Sequence, residues 1–377
     1  MSGAEQKNNI ESHNIESQTK TLYMPSTPLN VLVSCALAVQ NNQKTSIEPE
    51  SAQLWLIDQK NSESNPYFLA LQKWQDSPFE KVDIFSGNTD GQNKISHRKQ
   101  LFKKLTTAIK SFQPNQVAVG SDRRVEFQFV MQLLKRLHLS AKGIYLDDGL
   151  YSYAGRPYNV LKDGINALLK KLAYGFWWRE PKTVGASSWI NQAWLFAPNN
   201  AVELLKDKPL KQLQAKWFTT QEILNLSQLV AQELKYNTAD LATLDVVILI
   251  PHPNNIKKMP GYKGRIQQLV NRLASQGKRI GVKYHPRTKE RDLLALMDSG
   301  AAEVIPTQIA FEFCLPVFNA KCHIIGDVGT ALFTCKWLRP DLPLTAVLDE
   351  HDDFQRRFIT ISNTMQIHVT NQLEDIV

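Results

Sequence analysis

The sequence predicts an α/β protein with two Rossmann-like halves that face each other across a cleft. The first observation is a series of short apolar runs, rich in Val and Ile, that alternate with amphipathic stretches, a pattern typical of parallel sheets covered by helices. The second is that this alternation stops near residue 150 and restarts near residue 245. The third is the length, because 377 residues are too many for one ordinary core and suit two domains.

The first half contains apolar runs of strand length, bounded by turn residues, at 29–37, 52–58, 81–87, 116–122 and 143–149. Helical stretches at 95–112 and 125–139 separate the later ones. Residues 1–27 are rich in Asn, Ser, Gln and Glu and could not bury a core, so we predict a disordered tail there. We assign 28–235 to the N-terminal Rossmann-like domain, including a helical insertion after residue 150.

The second half repeats the alternation, and we assign 236–377 to the C-terminal Rossmann-like domain. Apolar runs predict strands, and periodic stretches between them predict helices. The strands are expected at 245–253, 279–286, 302–306, within 320–333 and at 344–349, and the helices at 262–277 and 292–300.

Composition narrows the class of protein. The formal net charge of +8 is compatible with an anionic partner, but the basic residues are spread along the chain. We expect no nucleic acid partner, because the sequence has neither a helix-turn-helix pattern nor an aromatic and basic sheet signature. A polar N-terminus, the absence of an apolar run of about 20 residues and four cysteines without CxxC spacing favour a cytoplasmic location.

Four short polar stretches follow predicted strands, at the carboxyl ends where open parallel sheets bind ligands. Two belong to each half, so facing halves would bring all four to one cleft. They are Ser121-Asp122-Arg123-Arg124, Asp147-Asp148-Gly149, His285-Pro286-Arg287 and Asp327-Val328-Gly329-Thr330.

The residue types in these stretches suit glycosyl transfer from a nucleotide sugar. One aspartate of the pair can act as a general base while the other caps the turn, and the sequence does not decide between Asp147 and Asp148. His285 can donate a proton or a hydrogen bond to a departing phosphate. Gly329-Thr330 at a helix start offers N–H groups and a hydroxyl to that phosphate.

Two interpretations remain open for each of three residues, which are two arginines and one histidine. Arg123 or Arg124 either meets a carboxylate or phosphate of the substrates, or forms an ion pair with a neighbouring acid, Asp122 or Glu126. His252 in IPHPNN either lines the nucleotide site or shapes a turn.

These motifs resemble those of bacterial GT-B sialyltransferases, of the lipooligosaccharide sialyltransferase and capsular polysialyltransferase type. Asp147-Asp148-Gly149 matches a D/E-D/E-G motif, and Lys283 with His285-Pro286 matches KxHP. Glu312 in IPTQIAFE matches the glutamate of IPxxIxxE, and Gly329-Thr330 stands where the family has Ser-Ser or Ser-Thr. The order of the motifs agrees, and the likeness spans roughly residues 29 to 350.

The resemblance implies a GT-B architecture and an inverting transfer of a sialic acid or related nonulosonic acid. The donor would be a CMP-activated sugar bound by the C-terminal domain, and the acceptor a hydroxyl of an oligosaccharide or glycolipid of the bacterial surface, such as lipopolysaccharide or capsule, bound by the N-terminal domain. No metal or other cofactor is implied, because the leaving CMP carries less charge than a diphosphate.

The resemblance also implies roles for single residues. A carboxylate of the Asp147-Asp148 pair would deprotonate the acceptor, and His285 would protonate or stabilise the leaving phosphate. Thr330 and nearby amides would hold that phosphate, and Glu312 would bind the ribose hydroxyls. The other implied binding positions are Arg123, Arg124, Gly149, Lys283, Pro286 and Gly329.

Gly329 departs from the family's serine, which leaves the donor open among CMP-sialic, CMP-pseudaminic, CMP-legionaminic and CMP-Kdo sugars. Two alternatives from other classes also stay open. One is a UDP-sugar-dependent GT-B transferase or epimerase, and the other is a non-catalytic nucleotide- or glycan-binding assembly factor.

The segment 161–181 mixes lysines and an arginine with Phe176, Trp177 and Trp178. One interpretation is a helix that lies on an acidic membrane surface, which would make the protein peripheral on the inner membrane. The other is a core helix between domains with buried aromatics.

Overall fold

The computed structural model describes residues 18–44, 50–59, 64–87 and 94–376. Within these ranges the chain forms two parallel sheets whose strands are connected largely through helices, so the predicted α/β class with two Rossmann-like halves is confirmed. The first sheet lies between residues 20 and 212 and the second between 246 and 370. The predicted domain boundaries at 235 and 236 stay predictions.

In the described residues the first sheet has seven strands in the order β3-β2-β1-β4-β5-β6-β7, all pairs parallel. Its central strands are buried apolar runs, as expected for strands covered on both faces. The strands are β1 (Lys20–Met24), β2 (Ser51–Gln59), β3 (Lys81–Ser86), β4 (Gln116–Val119), β5 (Lys142–Leu146), β6 (Gln192–Leu195) and β7 (Leu210–Gln212).

The second sheet, in the part of the chain that is described, has six strands in the order β10-β9-β8-β11-β12-β13. All pairs are parallel, and the order reverses beside β8, the kind of switch point at which open sheets bind ligands. The strands are β8 (Val246–Ile250), β9 (Ile280–Tyr284), β10 (Glu303–Ile305), β11 (His323–Gly326), β12 (Leu344–Val347) and β13 (His368–Thr370).

Helices connect most successive strands. Those of the first half are α1 (Pro28–Lys44), α2 (Pro66–Lys73), α3 (Lys94–Phe112), α4 (Val125–Arg136), α5 (Tyr151–Ala154), α6 (Val160–Tyr174), α7 (Glu203–Lys206) and α8 (Gln221–Glu233). Those of the second half are α9 (Pro253–Ile256), α10 (Tyr262–Ser275), α11 (Phe311–Cys314), α12 (Thr330–Leu338) and α13 (Asp353–Thr364).

The prediction for the start of the chain is wrong in two respects. Residues 29–37, expected to form the first strand, belong to helix α1. The strand is β1 instead, which lies inside the segment expected to be a disordered tail and pairs with both β2 and β4. Residues 30–39 of α1 are buried almost throughout, so the apolar run shows no helical period. The rest of the predicted tail, 1–17, lies outside the described residues.

The helix expected at 292–300 is also absent from the structure, which has turns there. The Asp292 carboxylate accepts hydrogen bonds from the backbone N–H groups of Leu296 and Met297 and from the Tyr284 hydroxyl. A side chain that binds local backbone donors in this way competes with helical hydrogen bonds. The segment expected to be helical after residue 150 contains strands β6 and β7 as well as helices.

Direct contacts join the two halves. The buried Tyr67 hydroxyl, on α2, donates to the Gln308 carbonyl and accepts from the Ala310 N–H, both at 2.8 Å. The rings of Phe196 and Trp337 stack with centroids 5.2 Å apart and planes 10° apart. The halves therefore touch at two or more places.

Candidate functional site

Asp147 holds the turn that follows β5. Its carboxylate is fully buried, and each oxygen accepts one backbone N–H and one hydroxyl. Oδ1 accepts from Gly149 N at 3.0 Å and from the Ser152 hydroxyl at 2.8 Å. Oδ2 accepts from Phe196 N at 3.0 Å and from the Tyr153 hydroxyl. Burial raises the pKa of Asp147, and these four donors oppose the rise. With four donors on two oxygens, this carboxylate is committed to the turn.

Asp148 is different, because it is half-buried and the donors to its carboxylate are two side chains of α1 and the turn before it. Asn30 Nδ2 lies 2.9 Å from Oδ1, and the Thr27 hydroxyl also donates a hydrogen bond. Burial raises its pKa to about 7, with the Asp147 charge adding to the rise, while Asn30 and Arg124 oppose it. A carboxyl group that titrates near neutral pH has the pKa that a general base needs.

The turn reaches the second half at Gly149. Its φ is +100°, and a Cβ built there would lie 2.4 Å from Cγ2 of Thr330. Glycine is required for both reasons, since other residues rarely adopt this φ and a side chain would collide with Thr330. The Asp147-Asp148-Gly149 motif and the Gly329-Thr330 motif are therefore in contact across the cleft, as the sequence predicts.

Helix α12 presents its N-terminus at this contact. Thr330 is its first residue, and Gly329 precedes it with extended backbone and no side-chain cap, so the first-turn N–H groups have no such partner. A Cβ built on Gly329 meets nothing within 4 Å. Asp327, two residues earlier, is buried with a pKa raised to about 7 by burial, and it accepts from the Tyr262 hydroxyl.

Two histidines stand side by side at the ends of the adjacent strands β8 and β9. The rings of His252 and His285 lie 4.8 Å apart at 62°. In each, Nδ1 accepts a backbone N–H two residues on, from Asn254 at 3.0 Å and from Arg287 at 3.1 Å. Accepting at Nδ1 places the proton of a neutral ring on Nε2. His252 therefore shapes a turn, as one of its two interpretations has it, and also packs against the His285 ring. That it lines a nucleotide site stays a prediction.

The pKa of His285 is lowered to about 4 by burial, reinforced by His252 and by the charges of Arg287 and Lys283. The ring is therefore neutral at pH 7 in the ligand-free protein. Pro286, which follows it, is exposed and starts the turn.

Lys283, which is buried, and Glu312, which is half-buried, lie close enough beside α12 for the charge of each to affect the pKa of the other. Burial lowers the pKa of Lys283 to about 8, and Glu312 opposes this. Burial raises the pKa of Glu312, and its carboxylate accepts from the Thr334 hydroxyl at 2.8 Å. Because Thr334 is one turn after Thr330, the glutamate is tied to the helix that meets the aspartate turn.

The two arginines have different surroundings. Arg123 forms an ion pair with Glu180 at 2.7 Å, so it has an acidic partner, though neither of the two expected from the sequence. Arg124 pairs with Asp58 and donates to the Ser26 hydroxyl at 3.1 Å, and its charge acts on Asp148. Arg124 therefore belongs to the site electrostatically, whereas Arg123 lies in a charge cluster beside it. Asp122 binds the backbone N–H groups of Gly185 and Ser187 and holds a loop.

Sequence reasoning missed Asn30, the residue that contacts Asp148. It lies on α1, in the segment that was expected to be a strand, and it is fully buried. Gly120 makes room for it, because a Cβ at that position would lie 2.1 Å from the Asn30 side chain. The sequence pattern that points to Asn30 is a polar residue within an apolar run, together with a glycine at the end of the neighbouring strand. In the described part of the chain, no group of three or more His, Cys, Asp or Glu side chains is placed to hold a metal ion.

Solved structures with the same arrangement include α/β-galactoside α-2,3-sialyltransferase from Photobacterium phosphoreum, with a TM-score of 0.58, 13% identity and coverage of 96% of this chain and 100% of that one. The GT-B domain of a sialyltransferase from Photobacterium damselae has a TM-score of 0.52 at 11% identity, covering 94% and 98%. UDP-GlcNAc 2-epimerase from Methanocaldococcus jannaschii has a TM-score of 0.53 at 14% identity, covering 95% and 90%. No protein-family model and no curated protein sequence matches the chain.

At these identities the likeness defines the fold. The chain has the GT-B fold, two Rossmann-like halves that face each other across a cleft. The fold is shared by transferases and epimerases, so the reaction must be argued from the site.

Proposed function

We propose that the protein is an inverting glycosyltransferase that moves a sialic acid or related nonulosonic acid from a CMP-activated donor to a hydroxyl of a bacterial surface glycan. The observation that carries the proposal is the contact between Gly149 and Thr330. It brings a carboxyl group with a pKa near neutrality beside an uncapped helix N-terminus. A base for the acceptor and a cradle for the leaving phosphate are the two groups that this reaction needs.

Asp148 is the base in this proposal. It takes the proton of the acceptor hydroxyl while the acceptor oxygen attacks the anomeric carbon from the face opposite CMP. The bond from that carbon to the phosphate oxygen breaks, and its electron pair leaves with CMP. Asp147 keeps the turn in place, since its oxygens are occupied by four donors.

His285 stabilises the leaving phosphate through Nε2–H. The ring is neutral before the donor binds, so it acts first as a hydrogen-bond donor. A bound phosphate brings negative charge, which favours the protonated form and raises the pKa of His285. Thr330 and the first-turn amides of α12 hold the same phosphate, and Glu312 with Lys283 holds the nucleoside side.

A nucleotide screen followed by a turnover assay tests the proposal. CMP should raise the melting temperature more than UDP or GDP, since stabilisation grows with ligand concentration over its dissociation constant, reaching about 2.7 kcal/mol at about 100 times that constant. CMP release should then follow with at least one of CMP-Neu5Ac, CMP-Pse, CMP-Leg and CMP-Kdo when an acceptor glycan is present. Turnover should persist in EDTA. The proposal would be overturned if CMP did not bind and if no CMP were released from any of these donors.

A UDP-sugar enzyme is the second candidate, favoured by the likeness to the UDP-GlcNAc 2-epimerase fold. It predicts stabilisation by UDP with no effect of CMP. The same screen therefore separates the two candidates. If CMP binds but no donor is turned over, the result would favour the non-catalytic assembly factor.

A further inference from the structure

Helix α6 is turned the opposite way from an ordinary surface helix. Surface helices usually bury their apolar face and expose their polar one. On α6 two charged residues, Asp163 and Lys170, face the protein. Asp163 binds Arg156 at 2.9 Å and the Asn159 N–H at 2.7 Å, and Lys170 reaches Glu180 at 3.2 Å and lies over the Trp178 ring.

The outward side of α6 is an apolar stripe, which we call the α6 face. Its five side chains are between 55% and 79% exposed, and they fall within roughly 100° of the helix circumference over a length of about 17 Å. Phe176, just after the helix, is also apolar and is 75% exposed. The other two aromatics expected on this segment pack inward, Trp178 fully. The α6 face is Leu161, Ile165, Leu168, Leu169 and Leu172.

The charges exposed around the α6 face are positive. By helical geometry, Lys162 and Lys171 border the stripe on its two sides. The acids between residues 156 and 182 are Asp163 and Glu180, and both have cationic partners on the protein side. Helix α3, whose Phe102 contacts Tyr174 at the end of α6, contains six Lys and Arg residues and no acid in KISHRKQLFKKLTTAIKSF.

We propose that the α6 face docks on the surface of an anionic lipid bilayer. An apolar stripe bordered by lysines is the composition of a helix that lies in the interface, with its leucines among acyl chains and its lysines at the headgroups. A second copy of the chain fits less well, because pairing through this face would bring two positively charged surfaces together. The proposal stands on the helix alone and does not rest on the reaction assigned to the cleft.

Because α6 follows the aspartate turn closely in the chain, docking through α6 would also affect where that turn lies. Val160 begins the helix eleven residues after Gly149, and the short helix α5 lies between them. Docking would therefore hold the aspartate turn near the bilayer, where a hydroxyl on a lipid-linked acceptor is confined.

Vesicle flotation tests the proposal with the full-length protein. Wild type should float with vesicles of phosphatidylglycerol and phosphatidylethanolamine, and less with pure phosphatidylcholine. Leu168→Ser with Leu172→Ser should weaken binding about tenfold or more through lost apolar insertion. Lys162→Gln with Lys171→Gln should weaken binding to the anionic vesicles about fivefold for each lysine.

Two controls match these variants. Leu204→Ser removes an exposed leucine on α7, and Lys289→Gln with Lys321→Gln removes two exposed lysines of the second half; neither should change flotation. Melting temperatures should be unchanged in all variants, since the α6 face makes few contacts. Equal flotation of wild type and the serine variant would overturn the proposal. The proposal would also be overturned if neither protein floated and light scattering showed a wild-type dimer that the serine substitutions dissociate.

Discussion

Asn substitutions at the two adjacent aspartates should separate the turn from the chemistry. Asp147→Asn replaces one acceptor oxygen by an NH₂ group that faces a hydroxyl and a backbone N–H. The hydroxyl can rotate to accept, but the N–H cannot, so one buried donor loses its partner at a cost of about 1–3 kcal/mol. With weakening of the remaining charge-assisted bonds, we expect a loss of about 3 kcal/mol. That lowers the melting temperature by about 6–12 °C for a domain of about 200 residues.

Asp148→Asn should have the opposite profile. Its Oδ1 can still accept from Asn30, so the free energy of unfolding should change by less than about 1 kcal/mol near pH 4, where Asp148 of the folded protein is protonated and uncharged like asparagine. Turnover should fall by about 10²- to 10⁴-fold, the usual contribution of a general base. The folded state retains the Asp148 proton up to about pH 7, whereas the unfolded chain loses it near 3.8. Stability should therefore fall as pH rises through that window, and Asp148→Asn should remove this part of the dependence.

Chemical denaturation and CMP release from the accepted donor measure the two effects on the same preparations. Asp122→Asn is the matched control, because Asp122 is another fully buried carboxylate that binds two backbone N–H groups. It should lose stability without losing turnover per folded molecule. Small and equal effects of the Asp147 and Asp148 substitutions on both quantities would refute the division of roles.

Three further predictions concern the contact and its electrostatics. Gly149→Ala should cost about 1–3 kcal/mol of stability, because its φ is unfavourable for alanine, and should also reduce turnover. Adding Thr330→Ser, which removes Cγ2, should recover part of the turnover, and no recovery would mean that the contact is incidental. A serine at Gly329 has room for its side chain, so Gly329→Ser should increase the affinity for CMP about fivefold by one added phosphate contact. The measurement is a larger thermal shift with CMP, and weaker binding would count against the phosphate cradle. The value of kcat/KM should rise about tenfold per pH unit up to about pH 7 and then level off, and a flat profile would remove Asp148 as the base.

The sequence predicts the two-sheet plan and the strand ends that carry the polar stretches, because parallel strands covered on both faces are recognisable apolar runs. It fails at 29–37, where a helix buried nearly all round has no 3.6-residue period to distinguish it from a strand. It fails at 292–300 because the Asp292 side chain takes the backbone donors that a helix would use.

The site shows the same division. The place of Asp147-Asp148-Gly149 opposite Gly329-Thr330 follows from the fold, and the structure brings them into contact. Which aspartate holds the turn could not be predicted, because the donors that occupy Asp147 include Phe196 N, about 50 residues away in the chain. The same limit applies to Arg123, whose partner Glu180 comes from the insertion after β5.

Tyr67 gives the protein a joint that does not titrate. Its hydroxyl bonds to two backbone groups of the other half, and burial raises its pKa far above the ordinary range for tyrosine. Neither backbone partner ionises at any pH used for an assay. The link between the halves therefore keeps its protonation state while Asp148 changes its own, and a pH–rate curve can report on proton transfer without a superimposed change at this joint.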